Sequence, residues 1–326
     1  MTVRLEQSTG LLLALVFATA TACGRVGAGE PRQPAPELPV VSGEWQTLLT
    51  KDQIACPEIN RGQVVDHCFF RDAAGTWQAW VQVRDTKKGR VFTRWEQEGA
   101  LTDAPWTYRG VHWTGQPKFG ESQTVIQAPH VYYENGRYWA FYGGGGQISM
   151  ARSADGVAFM RHRNADGHSS LFSDLRDTTP SGIRDPFVAR FGGRYHLYYT
   201  SESNVLVRTT DELDGAAWSE PAVAASERNR TQCPFVVHRN GWYYLFMMGA
   251  SNEFKTNVLV SRDPTDFGNG LSQKIAVLPV SACEIIRADG RDYISSLIPG
   301  HKGVRVARLR WELPREPPID GTPEDP

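Results

Sequence analysis

The chain has 326 residues, 35 Lys and Arg against 36 Asp and Glu, and a formal net charge of −1. Balance this close to neutral argues against a nucleic-acid partner, which needs a basic footprint to displace counterions from phosphates. With 40% hydrophobic and 22% charged residues it is neither disordered nor collagen-like, and 11% aromatics with 31 Gly and 20 Pro describe a turn-rich protein with a large core.

Residues 11–22 read LLLALVFATATA, an apolar run too short to span a bilayer as a mature helix, with Arg4 ahead of it and Cys23 directly after. Small residues followed by a cysteine at the end of such a run resemble a bacterial lipobox. That predicts a signal peptide over 1–22 and a lipid on the sulfur of Cys23; an ordinary secretory peptide is the alternative. Residues 24–40 are rich in Pro, Gly and Ala with no apolar period, so 23–44 is expected to be a flexible tether. The expected location is the bacterial cell envelope, on its periplasmic or surface side, with the lipid as the one membrane contact and a monomeric body. In that oxidising setting Cys56–Cys68 is the local disulfide candidate, while Cys233 and Cys283 fall at equivalent repeat positions and suit small buried packing groups. No CxxC or HxxxH pair accompanies them, so no metal is expected.

From residue 45 onward the chain repeats itself. VVDHCFFRDAAGTWQAWVQ starts at Val65, QAPHVYYENGRYWAFYGG at Gln127 and IRDPFVARFGGRYHLYYTS at Ile183. TQCPFVVHRNGWYYLFMMG follows from Thr231 and SACEIIRADGRDYISSL from Ser281. Each copy has a polar start, an apolar β-prone strand, a tight AG, NG, GG or DG turn and an alternating aromatic strand, which is a hairpin signature. A third strand follows most hairpins, as in VFTRWEQ, ISMARSADG, VLVRTTDEL, VLVSRDPTDF and VRVARLRWE. Spacings of roughly 50 to 60 residues suit one four-stranded blade each. The predicted fold is all-β, a five-bladed β-propeller over 45–313, with 314–326 a Pro-rich, charged and disordered tail.

The residues that open the first strand of each blade converge at one mouth of a propeller. Aligned on the aromatic second strands, Asp66 and Asp185 fall at nearly the same offset, His130 and Glu284 within one residue of it, and Gln232 one residue before. Each alone suits a capping or turn role, since Asp before Pro is a common turn. Together they put several carboxyl groups at the floor of an aromatic-rich funnel, which is what glycoside cleavage requires: one group protonates the leaving oxygen, another activates water or attacks carbon. His67, beside Asp66, is a further candidate for substrate contact.

These repeats resemble the five-bladed propeller glycoside hydrolases, the superfamily holding families 43, 32, 68, 62 and 117. The likeness runs from about residue 62 to 311. IRDPFV at 183–188 is similar to the RDP motif of family 32, QAPHVYY at 127–133 to the blade-two segment of family 43, and QCPFVV at 232–237 to the fourth-blade segment. The resemblance implies that Asp66 is the general base or nucleophile, that Asp185 orients the catalytic groups and tunes the acid, and that Arg184 bonds sugar hydroxyls. The family's acid is a glutamate in an E-C-P or E-G-P triplet, and here the triplet is Gln232-Cys233-Pro234, whose amide cannot donate the proton. Three explanations follow: the acid has moved, to Glu284 first and His130 next; the substrate has a good leaving group or brings its own acid; or hydrolysis is lost and binding kept. The first is the reading adopted, because Asp66 and Asp185 are both retained. The first blade lacks the Asn-Asp-Pro-Asn signature of family 32, and the stereochemical course depends on carboxyl separation, about 5 Å for retention and 6.5–9.5 Å for inversion.

KFGESQ at 118–123 reads as a polar loop entering the mouth, with Lys118 and Glu121 as substrate contacts or as plain solvated loop. The GGGG run at 143–146 lacks a phosphate-loop ending and reads as a flexible loop that lets backbone approach a ligand. Trp80, Trp95, Trp113, Trp139 and Trp242 suit blade packing first and sugar stacking second. Some propellers of the superfamily hold a calcium ion in the channel, but nothing here specifies ligands for one, so no cofactor is expected. The predicted activity is cleavage of a glycosidic bond in an oligo- or polysaccharide. The rivals are a carbohydrate-binding propeller without turnover and a glycoside phosphorylase, for which Arg184, Lys118 and His130 are too few cations.

Overall fold

The computed structural model describes residues 34–173, 182–214, 217–227, 231–249 and 254–314. The expected signal peptide, Cys23 and all but the first residue of the 314–326 tail lie outside them. The described residues form five antiparallel sheets and two short 3₁₀ turns, Lys51–Gln53 and Pro117–Phe119. The fold is the expected five-bladed propeller.

The chain opens with β1 (Leu38–Thr50). Blade I, written from the axis outward, is β2 (Gln63–Arg71), β3 (Trp77–Thr86), β4 (Gly89–Gln97) and β5 (Thr107–Trp113). Blade II is β6 (Gln127–Glu134), β7 (Arg137–Gly144) and β8 (Gln147–Ser153), with β9 (Met160–Arg161) and β10 (Ser170–Ser173) both on the outer edge of β8. Blade III is β11 (Arg184–Phe191), β12 (Arg194–Ser201), β13 (Asn204–Thr210) and β14 (Ala222–Ser226). Blade IV is β15 (Thr231–Arg239), β16 (Trp242–Gly249), β17 (Thr256–Ser261) and β18 (Lys274–Leu278). Blade V is β19 (Ile285–Ala288), β20 (Arg291–Leu297) and β21 (Gly303–Glu312), and its outer strand is β1.

The turn chemistry explains the hairpins. In blades II to V the first two strands are joined by two residues, Asn135-Gly136, Gly192-Gly193, Asn240-Gly241 and Asp289-Gly290, with φ positive at both positions of every pair. This backbone matches the twist of the flanking strands, and Asn, Asp and Gly are the residues that reach it cheaply. Blade I uses a longer loop, in which Asp72 Oδ1 accepts the amides of Ala74 and Thr76 at 3.0 Å each.

The middle strands are buried on both sides, since alternate residues face the two neighbouring blades. Trp77, Ala79 and Val81 of β3 pack toward blade V, with Leu49, Ile286 and Val304. Trp80, one step out of phase, packs toward blade II with Val131, Tyr138 and Tyr142. Five such clusters fill the five gaps between blades. The aromatic surplus is therefore mostly blade packing: Trp80, Trp95, Trp113 and Trp139 are all buried in these layers, and half-buried Trp242 carries the Arg262 guanidinium 3.7 Å over its ring.

Three expectations are corrected here. Residues 38–44 belong to β1, where Leu38–Ser42 pair with Arg308–Glu312, so the tether ends earlier than expected. Pro39 and Gly43 hid a strand that lies at a sheet edge, where both residues are tolerated. Cys56 and Cys68 are free thiols rather than a pair, because Cys56 packs in the blade I–V layer and Cys68 in the blade I–II layer. Cys233 and Cys283 stand one register step apart: both border the mouth, Cys283 as a buried packing group between blades IV and V, and half-buried Cys233 as a hydrogen-bond partner of Asp66.

β1 closes the ring by covering the edge of β21, which would otherwise present unpaired backbone groups. Glu37 just before it donates its amide to Tyr244 Oη at 2.8 Å and pairs with Arg239, both on blade IV. A chain starting at residue 44 is expected to melt at a lower temperature than one starting at residue 34, by about 2–4 °C for each kcal/mol lost. Equal melting temperatures in a thermal scan would show that β1 does not close the ring.

Candidate active site

Four of the five inner strands break register at the end that opens on the mouth. Pairing slips between Val64 and His67, Gln127 and His130, Arg184 and Phe187, and Gln232 and Phe235. Ala128, Asp185 and Cys233, inside three of these slips, and Ala282 just ahead of β19, have φ between 47 and 57°. Such values are uncommon for residues with a Cβ, and a bulge of this kind turns side chains out of the sheet plane. Here it turns them toward the axis. The floor is lined by Asp66 and His67, Ala128 to His130, Asp185 to Phe187, Cys233 to Phe235 and Ala282 to Glu284. About 40 Å³ is open between them, the room of a water or two.

Asp66, Asp185 and Cys233 form the tightest group, each bringing one donor atom within 4.8 Å of the others. Asp185 Oδ2 accepts the Thr200 hydroxyl at 3.1 Å and the Cys233 amide at 3.0 Å, with Arg184 Nε 3.5 Å away. Asp66 Oδ1 accepts the Cys233 thiol at 3.4 Å. Burial and the neighbouring Asp185 push the Asp66 carboxyl up to about 6, with the Cys233 bond and Arg184 pulling the other way. The Cys233 thiol is pushed well above its ordinary value by burial and by both carboxyl groups, so it stays protonated and acts as a donor.

Glu284 lines the same floor from blade V, with its side chain 13% exposed. Its Oε2 accepts the Phe69 amide of blade I at 3.1 Å, and its Oε1 is 3.7 Å from His130 Nδ1. Burial raises its carboxyl, opposed by His130 and by the Phe69 amide. His130 is held from its other nitrogen by Val188 O at 3.2 Å and packs on Phe187, ring centroids 4.7 Å apart. The channel beneath is lined largely by apolar residues of the inner strands, and Glu284 is the single carboxyl group on its described wall.

The other expected contacts divide. His67 lines the floor, but its Nε2 is 2.7 Å from Ser295 Oγ, and burial drives its pKa down to about 3, so it is a neutral clasp between blades I and V. Gln232 pairs with Met248 before the bulge, in the register of Arg184, and neither side chain lines the described floor. Glu121 is corrected from a substrate contact to a structural anchor. Its buried carboxylate accepts Tyr142 Oη and Arg161 Nε at 2.6 Å each, Ser169 Oγ at 3.0 Å and the Gln116 amide at 2.9 Å. Lys118 is exposed on a hollow away from the mouth. The GGGG run serves chain-to-chain approach: a Cβ on Gly143 would lie 2.7 Å from Arg184 Cα, and one on Gly144 2.3 Å from Val125 O.

Sequence reasoning missed two groups. Cys233 looked like a packing cysteine, although its place in the Gln-Cys-Pro triplet could have flagged it. Arg90 on β4, half-buried and bonded to Gln127, feels both Asp66 and Asp185, and no repeat feature pointed to it.

No family model matches the chain. A probable arabinan endo-1,5-α-L-arabinosidase C from Aspergillus fumigatus is 26% identical over 156 residues, 45% of this chain and 48% of that protein, and its counterpart from a second strain matches equally. The chain thus spans about half the length of the curated relatives it matches. Among solved structures, a thermostable family-43 glycoside hydrolase superposes with a TM-score of 0.57 at 14% identity, covering 84% of this chain and 97% of that one. A family 117 glycoside hydrolase from Zobellia galactanivorans gives 0.58 at 14% identity, covering 85% and 91%. The fold is that of the propeller glycoside hydrolases. A family 43 β-xylosidase/α-arabinofuranosidase from a compost metagenome, solved with xylotriose, adds 0.54 at 12% identity over 84% of this chain and 95% of that one.

An aspartate whose folded pKa exceeds its ordinary value binds its proton more tightly in the native state. Its contribution to stability is full below about pH 4 and is lost as pH rises toward 6. Asp66→Asn removes that loss. The variant is expected to match the wild type near pH 4 and to exceed it above pH 7 by on the order of 1–3 kcal/mol in denaturant unfolding. A difference independent of pH would contradict the buried pair.

Proposed function

We propose that the protein hydrolyses a glycosidic bond of an oligo- or polysaccharide at the propeller mouth. The observation that carries this is the pairing of half-buried Asp66 with buried Asp185 on the mouth floor, with Asp66 raised to about 6. Above that pH Asp66 is ionised and can act as base or nucleophile, and the pocket beside it has room for an attacking water. Asp185, fixed by Thr200 and the Cys233 amide, orients the group. Glu284, on the same floor with its carboxyl raised by burial, is the proposed acid in place of the glutamate that Gln232 replaces. The similarity to an arabinan endo-arabinosidase and to a β-xylosidase/α-arabinofuranosidase solved with xylotriose supports a carbohydrate substrate without naming the sugar.

The second reading is a carbohydrate-binding propeller without turnover. It is favoured by Gln232 and by the way Phe69 and His130 already engage both oxygens of Glu284. Export and lipid attachment at Cys23 are proposed from the 11–22 run, and membrane fractionation of wild type against Cys23→Ser tests them.

A panel of aryl-glycosides and arabino- and xylo-oligosaccharides decides between the readings. Hydrolysis is expected, with kcat/KM rising through about pH 6, falling by on the order of 10²-fold or more in Asp66→Asn and Glu284→Gln. Equal activity in all three proteins would remove the assigned roles; oligosaccharide binding without turnover in the wild type would establish the second reading.

A further inference from the structure

Away from the mouth, one hollow concentrates a single sign of charge. It lies along the outer edge of blade II, where the Pro117–Phe119 turn packs beside β9, and has a volume of about 550 Å³, within the range of small-ligand sites. Lys118, Arg152, Arg161 and Arg163 line it together with Phe119 and Met160, and no carboxylate does. The Phe119 ring is shared by three cations: Lys118 Nζ at 5.1 Å, Arg161 Cζ at 5.2 Å and Arg163 Cζ at 4.9 Å from its centroid.

Two of the four cations are already neutralised. Arg161 donates to Glu121 at 2.6 Å and stacks 3.9 Å over Trp113, and Arg152 pairs with Asp214 at 2.6 Å. Lys118 and Arg163, both exposed, make no ion pair among the described residues. Like charges crowded round one apolar ring repel, and an exposed cation–π contact is too weak to cancel two of them. In a chain with a net charge of −1, this hollow is complementary to an anion.

We propose that it binds the acidic part of a polysaccharide, a sugar ring bearing a carboxylate or sulfate group. Lys118 and Arg163 meet the charge, and the Phe119 ring with the 75% exposed Met160 side chain meets the apolar face of the ring. A concave hollow suits a chain segment better than a flat lipid surface. The connection that carries Phe119 runs on into β6, of which Ala128 to His130 line the mouth. The choice of a glycan rests on the proposed function; the choice of an anion rests on the hollow alone.

Calorimetric titration of the full chain with oligogalacturonate, its methyl ester, a sulfated galactan oligosaccharide and phosphatidylglycerol vesicles tests this. Wild type and Asp66→Asn are expected to bind at least one acidic oligosaccharide equally well, with affinity falling as salt is raised. The acid so bound should lose 10-fold or more in Lys118→Ala/Arg163→Ala, with a smaller loss in the single exposed change Lys118→Gln, and the methyl ester should bind 10-fold or more weaker than oligogalacturonate where the latter is the ligand. Undiminished binding by the double variant, equal binding of ester and acid, binding of vesicles alone, or no binding by the wild type would each overturn it. Because Asp66→Asn removes the proposed turnover without touching the hollow, failure of hydrolysis and failure of acidic-glycan binding are read separately.

Discussion

The break at the mouth end of the inner strands, a bulge in blades I to IV and the left-handed Ala282 just ahead of β19 in blade V, is the constraint on which the remainder of this structure depends. A bulge leaves a backbone amide without a ladder partner, and a buried amide in that state costs on the order of 1–3 kcal/mol. The propeller satisfies it from the preceding blade. Ala128 donates to Gln82 Oε1 at 2.7 Å, Cys233 to Asp185 Oδ2 at 3.0 Å and Ala282 to Met248 Sδ at 2.9 Å. The positive φ of these residues is therefore held from one blade to the next, and what holds the backbone also places the side chains. Asp185 shows the economy of this arrangement: one oxygen fixes the bulge of blade IV while the carboxyl group faces Asp66.

That coupling makes the electrostatics of the mouth a property of the whole ring. Asp66 is pushed up by burial and by Asp185, and Asp185 stands where it does because blade IV needs its oxygen. Blade V joins blade I through Glu284 to Phe69 and Ser295 to His67, and β1, paired with β21 of blade V, accepts the Trp106 amide just ahead of β5 of blade I at Leu48 O. Ring closure and carboxyl placement are thus one problem, solved near the axis by polar contacts and at the rim by a strand.

The sequence made the blades legible because their signals are local. NG, GG and DG between alternating apolar runs demand a two-residue hairpin, and all four such pairs form one. The convergence of Asp66, Asp185, His130 and Glu284 was legible too, since period and blade length alone bring their positions to one mouth. What escaped depends on contacts across the ring. Residues 38–44 carry Pro and Gly and look like a linker until β21 pairs with them. A bulge shifts register by one residue, which separates Cys233 from Cys283 and moves Gln232 off the floor, and hydrophobic patterning does not resolve a single step. Glu121 and Lys118 share a loop but differ in burial, which Tyr142, Arg161 and Ser169 decide from distant strands.

The central claim is that backbone geometry presses two carboxyl groups together in a buried floor. Carbon-13 NMR titration of the Asp66 carboxyl tests it most directly. The account predicts a midpoint near 6 in the wild type, lower in Asp185→Asn yet above the ordinary aspartate value, and higher in Cys233→Ala. A midpoint near 4 that ignores both substitutions would contradict it.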